Sequence, residues 1–419
     1  MRHIREGGEF INSGAFGCVF REALPCKSKR IAKQTVGKVF KYGQEATYEM
    51  KNNKVFHKID PEHNFTVKTY GICDIDLTKT KSEDNIAACE YIYDTHGMRQ
   101  IIYEYGGIDL YLSIEKLPGL MFDDLIPLWD PLFQALVAMK NAGVQHCDIK
   151  PDNILLKLDD RNSSPRLLLV DFGLMTKNAD FFSKMLQGRF NFTYAYYPPE
   201  FKIFDRVYRD PQNTDLESLR LFIRDNLNGW SHDIGESPWS FLSKFIKTDK
   251  YIKRVYERYM SMDIQELVKR VIPQIREKLD TYSLGITIME MFYYMFNLSR
   301  VVNRGLCERF INHVVLPMIH FDIKKRVTPE QAMNNMRVFL QQENLESKIP
   351  KLPRFPLSAP APPVQPQIHS SLQASMSICR KPPSKGGYTI KELREIAKRM
   401  GITETHRADI CAALEKHTQ

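Results

Sequence analysis

The spacing of apolar and polar positions changes near residue 120. Before it, Phe10 to Phe20 and Ile31 to Lys41 are β-rich runs around turns, and Glu45 to Ile59 has helical spacing. Glu90 to Glu104, with Ile92, Ile101, Ile102 and Tyr103, predicts more strand. After it, Leu125, Leu128, Trp129, Leu132, Phe133, Leu136 and Met139 recur every three or four residues, which buries one helix face. A small β-rich lobe followed by a larger helical one predicts an α+β, bilobal arrangement. The longest apolar stretch, Leu284 to Leu298, carries Glu290 and is too short for a span, so it predicts a buried helix.

The pattern fails over 347–387. Seven prolines lie between Pro350 and Pro366, and six basic residues stand with no acidic one. Such a stretch cannot bury enough apolar surface to fold and predicts an extended basic linker. From Tyr388 to Gln419 periodicity returns. Thr389-Ile-Lys-Glu392 is a capping box, Leu393, Ile396, Ala397 and Met400 mark one face, and Gly401 ends the helix. A second helix is expected from Arg407 to Lys416.

Composition adds limits. The chain has 419 residues and a formal charge of +9, which does not by itself mark a nucleic-acid or membrane binder. Eight scattered cysteines without a Cys-x-x-Cys pair exclude a zinc ribbon and make a reducing compartment the simplest expectation. No apolar segment follows Met1 to Glu6, so no secretory signal is expected.

Three clusters carry candidate chemistry. Gly14 to Val19 sets two glycines between apolar runs, either a plain turn or a backbone cradle for an anion. Lys38 lies inside the apolar run Thr35 to Phe40, either pointing outward from an edge strand or held over phosphates, with Glu49 eleven residues on as a counter-ion. His146-Cys-Asp148-Ile-Lys150-Pro-Asp-Asn153 groups an acid, a cation and an amide. Then Leu167 to Val170 leads into Asp171-Phe-Gly173. An amide and a carboxylate at strand ends are the hard oxygen ligands that magnesium on a triphosphate requires.

These motifs resemble the eukaryotic-type protein kinase family over about residues 10–340. Tyr197-Pro-Pro-Glu200 resembles the end of its activation segment, and Asp280 to Gly285 the start of the helix anchoring the catalytic loop. Asp322 to Glu330 resembles the late segment whose arginine, here Arg326, pairs with that glutamate. The resemblance implies serine/threonine kinase activity on protein substrates, with ATP and magnesium, or manganese in its place. Asp148 would take or orient the substrate hydroxyl proton, and Lys150 would neutralise the transferred group. Asn153 and Asp171 would bind metal, Lys38 held by Glu49 would grip phosphates, and Thr193 would touch the catalytic acid. Asn12, Ser13, Gly14, Ala15, Phe16 and Gly17 would cover the phosphates. Adenine would meet Val19, Val36 and Leu155 and the backbone of Glu104 and Gly106, with Tyr103 behind. Asp109 would contact ribose or cap a helix.

Departures are Asn12 at the first loop glycine and Cys147 for the arginine before the acid, which argues against control by activation-segment phosphorylation. Glu200 and Asp280 are separated by 79 residues, an insert at about 205–275 whose Trp230, Trp239, Phe241 and Phe245 suggest folding. It shields the large lobe or docks a partner. Val36 to Phe40 with Lys58 to Pro61 resembles the poxvirus and iridovirus type of kinase. That would place the protein in host cytoplasm or virion. Residues 388–419 resemble SAP and helix-extended-loop-helix modules, giving 347–419 a DNA, RNA or protein contact. The expected divisions are 1–107, 108–340, 341–387 and 388–419. A pseudokinase scaffold and a small-molecule kinase are the rival readings, against which stand the full set of polar residues and, for the second, Lys150 with Pro198-Pro-Glu200.

Overall fold

The structure, a computed structural model, describes residues 8–346 apart from 15–16, 29–30, 32–33, 41, 80–88, 90–97, 159–164, 188–189, 191–193, 204–214, 228–236 and 247. The expected linker and C-terminal module, and Ala15, Phe16, Thr193 and Trp230, lie outside them.

Two compact units divide the chain. The strands are β1 (Glu9–Gly14), β2 (Gly17–Arg21) and β3 (Thr35–Phe40), then after helix α1 (Gly43–Ile59) β4 (Thr69–Asp74) and β5 (Arg99–Glu104), in the order β1-β2-β3-β5-β4. Pairing is antiparallel from β1 to β2 and β2 to β3. Alternation sorts the faces: Cys18, Phe20 and Val39 are buried with Met98 in a small core, while Val19, Val36 and Lys38 take the other face. Gly17 is required by proximity as well as by its φ of +153°, since a Cβ there would come within 1.8 Å of the Val39 carbonyl oxygen.

Two disulfides, Cys18–Cys89 and Cys26–Cys73, staple this first unit. They pair four of the eight cysteines, while Cys147 and Cys307 are free and buried among the described residues. The partners are 71 and 47 residues apart, so both bridges are long-range contacts of the fold. The Gln100 amide packs on the second bridge and takes the Leu24 backbone as a partner on both its N–H and C=O.

The helical unit holds residues 47–71 and everything described from Tyr103 on. Most of α1 therefore groups with it, and no single cut falls at 107. The reason is packing: Phe56 stacks on Phe172 at 3.8 Å, and Thr66 bridges to Leu169. Next come β6 (Ile108–Asp109), α2 (Leu110–Lys116), α3 (Asp130–Asn141), β7 (Val144–Gln145), β8 (Ile154–Lys157), β9 (Arg166–Leu169) and β10 (Thr176–Lys177). The α3 periodicity buries Leu132, Phe133, Leu136 and Met139 as expected. Gly143, at φ +69°, ends that helix and turns the chain into β7.

The insert folds into α4 (Leu216–Leu227), α5 (Pro238–Ser243), α6 (Thr248–Met260) and α7 (Ile264–Arg270). Phe241 packs at 5.1 Å from Tyr293 and 5.9 Å from Phe292, while Ile252, Val255 and Tyr259 are buried, so these helices cover the large core. Helix α8 (Ile272–Asn297) is buried nearly all round, the signature of a core helix. Its Glu290 accepts from the hydroxyls of Tyr111 and Tyr196. No described helix is long and apolar enough to cross a membrane. The fold closes with α9 (Arg304–Phe310) and α10 (Pro329–Gln342), the latter opened by a Thr328/Gln331 capping box.

Candidate active site

The loop His146–Asn153 hangs from a buried carboxylate. Asp280, on α8, accepts from the backbone N–H of His146 at 2.7 Å and of Cys147 at 2.9 Å, one bond per oxygen. Burial holds the His146 imidazole below its ordinary pKa, against the pull of Asp280 and Asp171. Its Nε2–H donates to the Val170 carbonyl at 3.2 Å, and Nδ1 accepts from the Asp148 N–H at 3.2 Å. The Tyr197 hydroxyl donates to the Cys147 carbonyl at 2.8 Å. Five hydrogen bonds thus hold this turn from within.

Asp148 stands at the centre. Its Oδ2 accepts from Asn153 Nδ2 at 2.8 Å and its Oδ1 from the Tyr194 hydroxyl at 2.8 Å. Lys150 Nζ is 3.7 Å from Oδ2 and 5.6 Å from the Tyr194 ring centroid. Burial raises the Asp148 carboxyl to about 6 against the opposing pull of Lys150. Burial alone would lower the Lys150 ammonium; the carboxylates of Asp148, Asp152 and Asp171 outweigh it and hold the group above its usual value. The Tyr194 phenol is pushed far up by burial and by Asp148, so it remains a donor.

Strand pairing delivers the next pair. Asn153 precedes β8 and Asp171 follows β9, and those strands pair antiparallel with Ile154 opposite Leu169 and a Val170 N–H to Asn153 carbonyl bond of 3.0 Å. Asp171 sits in the left-handed region, φ 65°, which turns its carboxylate out of the strand to accept from the Gly173 N–H at 3.3 Å. A Cβ on Gly173 would lie 3.2 Å from Asp171 Oδ1 and 3.3 Å from Glu49 Oε2, so the glycine lets both acids approach the same spot. Because Asn153 Nδ2 donates to Asp148, its amide oxygen is the atom left to offer, and with the Asp171 carboxylate it makes a hard donor set. Among the described residues no cluster of three His, Cys, Asp or Glu forms a metal cage. Two protein oxygens completed by phosphate and water suit magnesium, which keeps much of its own hydration.

Glu49 is buried in α1 and accepts from the Tyr103 hydroxyl at 2.8 Å. Phe172, between Phe56 and His146, locks α1 to the loop, and the Asn52 amide donates to its carbonyl at 2.7 Å. Around Gly106 the chain narrows: a Cβ there would meet Val67 at 2.6 Å and Leu155 at 2.8 Å, so the glycine keeps a slot open above Leu155. The Glu104 N–H is taken by the Lys68 carbonyl at 2.8 Å.

Other expected residues fall elsewhere. Asp109 is a helix N-cap: Oδ1 accepts from the Leu112 N–H at 2.9 Å. Asn12 and Ser13 lie in extended β1, where the Asn12 side chain accepts from the Ser13 N–H at 2.8 Å and needs no unusual φ. Lys38, Val19 and Val36 share one sheet face, and Lys38 Nζ lies 5.2 Å from the Phe40 ring centroid. Arg326 meets Glu200 in a fully buried two-pronged ion pair. Sequence reasoning missed Tyr194, which touches Asp148 beside the expected Thr193. The run Tyr194, Tyr196, Tyr197 was the available signal, since three phenols near buried carboxylates must find acceptors.

Residues 8–215 match the protein kinase domain family. The chain is 27% identical over 146 residues to a probable serine/threonine-protein kinase of Dictyostelium discoideum, covering 33% of this chain and 10% of that one. It is 28% identical over 155 residues to the dual specificity protein kinase YAK1 of Saccharomyces cerevisiae, covering 36% and 18%. Against the serine/threonine-protein kinase VHS1 of the same yeast it is 22% identical over 357 residues, covering 73% and 74%. The chain thus spans less than a fifth of the first two relatives and about three quarters of the third. Fold, loop geometry and these matches agree: residues 8–215 carry a domain similar to the protein kinase domain family.

Proposed function

We propose that the chain is an ATP-dependent serine/threonine protein kinase, moving the γ-phosphoryl of ATP to protein hydroxyls. One observation carries this: Asp148, with its carboxyl near neutrality, is held between Asn153 and Tyr194 beside the Lys150 ammonium. Asp148 accepts or orients the hydroxyl proton, and Lys150 offsets charge on the transferred group. Asn153 and Asp171 would hold magnesium, whose contribution is to neutralise phosphate charge. Gly106 and Leu155 would receive the adenine, and Lys38 and residues 12–17 would serve the phosphates. Thr193, by the resemblance alone, would contact the catalytic acid.

Residues 347–419 carry the second part of the reading, a nucleic-acid or protein contact through the basic linker and the SAP-like helices. Resemblance to the kinases of large DNA viruses supports a viral source. The test is labelled ATP with magnesium and a generic basic protein. Transfer to Ser and Thr that disappears in Asp148→Asn and Asp171→Ala is the expected result. Dominant phosphotyrosine, or transfer only to small hydroxyl metabolites, would refute it.

A further inference from the structure

The insert builds something besides a cover. Helix α6 lies across the segment Leu316–Lys325 and leaves a groove of about 680 Å³, within the roughly 300–1,000 Å³ of ligand clefts. Lys250 and Arg254, one helical turn apart and both exposed, line one side, and His320 and Lys325 the other. Ile246, Leu316 and Pro317 supply apolar walls.

No carboxylate lines the groove among the described residues. The contrast with the next turn is informative. Arg258 is paired with Asp322 at 3.1 Å, so the acid of this region is already engaged outside the groove. The far wall is fixed: Arg326, the partner of Glu200, donates to the His320 carbonyl from Nε at 3.0 Å and Nη2 at 2.8 Å. Three cations with no acid among them, two on α6 and one on the fixed wall, favour a compact dianion.

We infer that the groove between α6 and Leu316–Lys325 docks a phosphorylated peptide segment whose phosphate meets Lys250, Arg254 and Lys325 and whose apolar neighbour meets Leu316 and Pro317. A peptide suits the site better than a nucleic-acid strand, because strand binding uses free aromatic faces. Tyr251 is edge-packed by His320 at 4.6 Å and covered by Lys325 at 5.9 Å, and Phe245 packs on Phe241 at 5.4 Å. The inference goes beyond phosphoryl transfer and is independent of it.

The test uses the full chain as Asp148→Asn, without nucleotide, and fluorescence anisotropy of a short labelled peptide with phosphoserine between leucines. Saturable binding is expected, about tenfold tighter than for the serine peptide. It should weaken by about tenfold or more in Lys250→Glu/Arg254→Glu, the loss of charge-assisted contacts. Circular dichroism checks the fold of that variant, and Arg254→Gln serves if it fails. Equal binding of the two peptides, unchanged binding in a folded variant, or displacement by single-stranded DNA at a lower concentration than by unlabelled phosphopeptide would each overturn the inference. Phosphoryl transfer in the Asp148→Asn protein would refute the catalytic assignment and leave this one untouched.

Discussion

Tyr194 donates its hydroxyl to Asp148 Oδ1 at 2.8 Å, the oxygen opposite the one that Asn153 holds. This bond helps keep Asp148 ionised, so removing it should raise the carboxyl further. Activity of the parent protein should fall as pH drops through about 6, since protonated Asp148 cannot accept a proton. In Tyr194→Phe the acidic limb of the kcat/KM profile should move to higher pH. A limb that stays in place or moves down would remove Tyr194 from this role.

Arg326 and Glu200 are both fully buried and joined by two bonds. Arg326→Met leaves the Glu200 carboxylate alone in the core, and stability should fall by about 3–5 kcal/mol. Chemical denaturation would measure this. A loss under about 1 kcal/mol would mean that water reaches the site.

Lys202 is buried, and its Nζ has no hydrogen-bond partner. Burial lowers its pKa to about 7. The unfolded chain binds this proton more tightly than the native state, so the penalty is full below pH 7 and shrinks as pH rises from 7 toward the unfolded value near 10.5. Stability should therefore climb over that range by a few kcal/mol. In Lys202→Met the climb should vanish and the neutral-pH protein should be more stable. A parallel pH dependence in parent and variant would rule this out.

The two disulfides close loops of 71 and 47 residues in the sheet unit. Chain entropy assigns about 4 kcal/mol to each. Thermal unfolding with and without a thiol reductant should show the loss, with Cys73→Ser/Cys26→Ser giving about half of it. Identical melting in both conditions would count against the bridges as stabilisers.

Much of the site was readable along the chain because Asp148, Lys150, Asn153 and Asp171 owe their positions to one loop and two short strands. Local spacing is the geometry there. The Arg326–Glu200 contact was readable for a different reason, a resemblance spanning 126 positions. What spacing could not reveal came from long-range pairing. Cys18 meets Cys89 across 71 positions, a pairing no local spacing reveals. Asp109 offered two roles to its carboxylate, and the helix opening after it took one of its oxygens. Tyr194 stands one position past the threonine to which the resemblance points, and no spacing marks it; only its hydroxyl contact with Asp148 does.

Asp280 gives both of its oxygens to consecutive amides at the head of the reactive loop. The loop is thereby moored to the longest described helix, buried along most of its length, instead of to the surface. Changes that tilt α8, however distant from any substrate, should register as altered turnover before they register as altered nucleotide affinity.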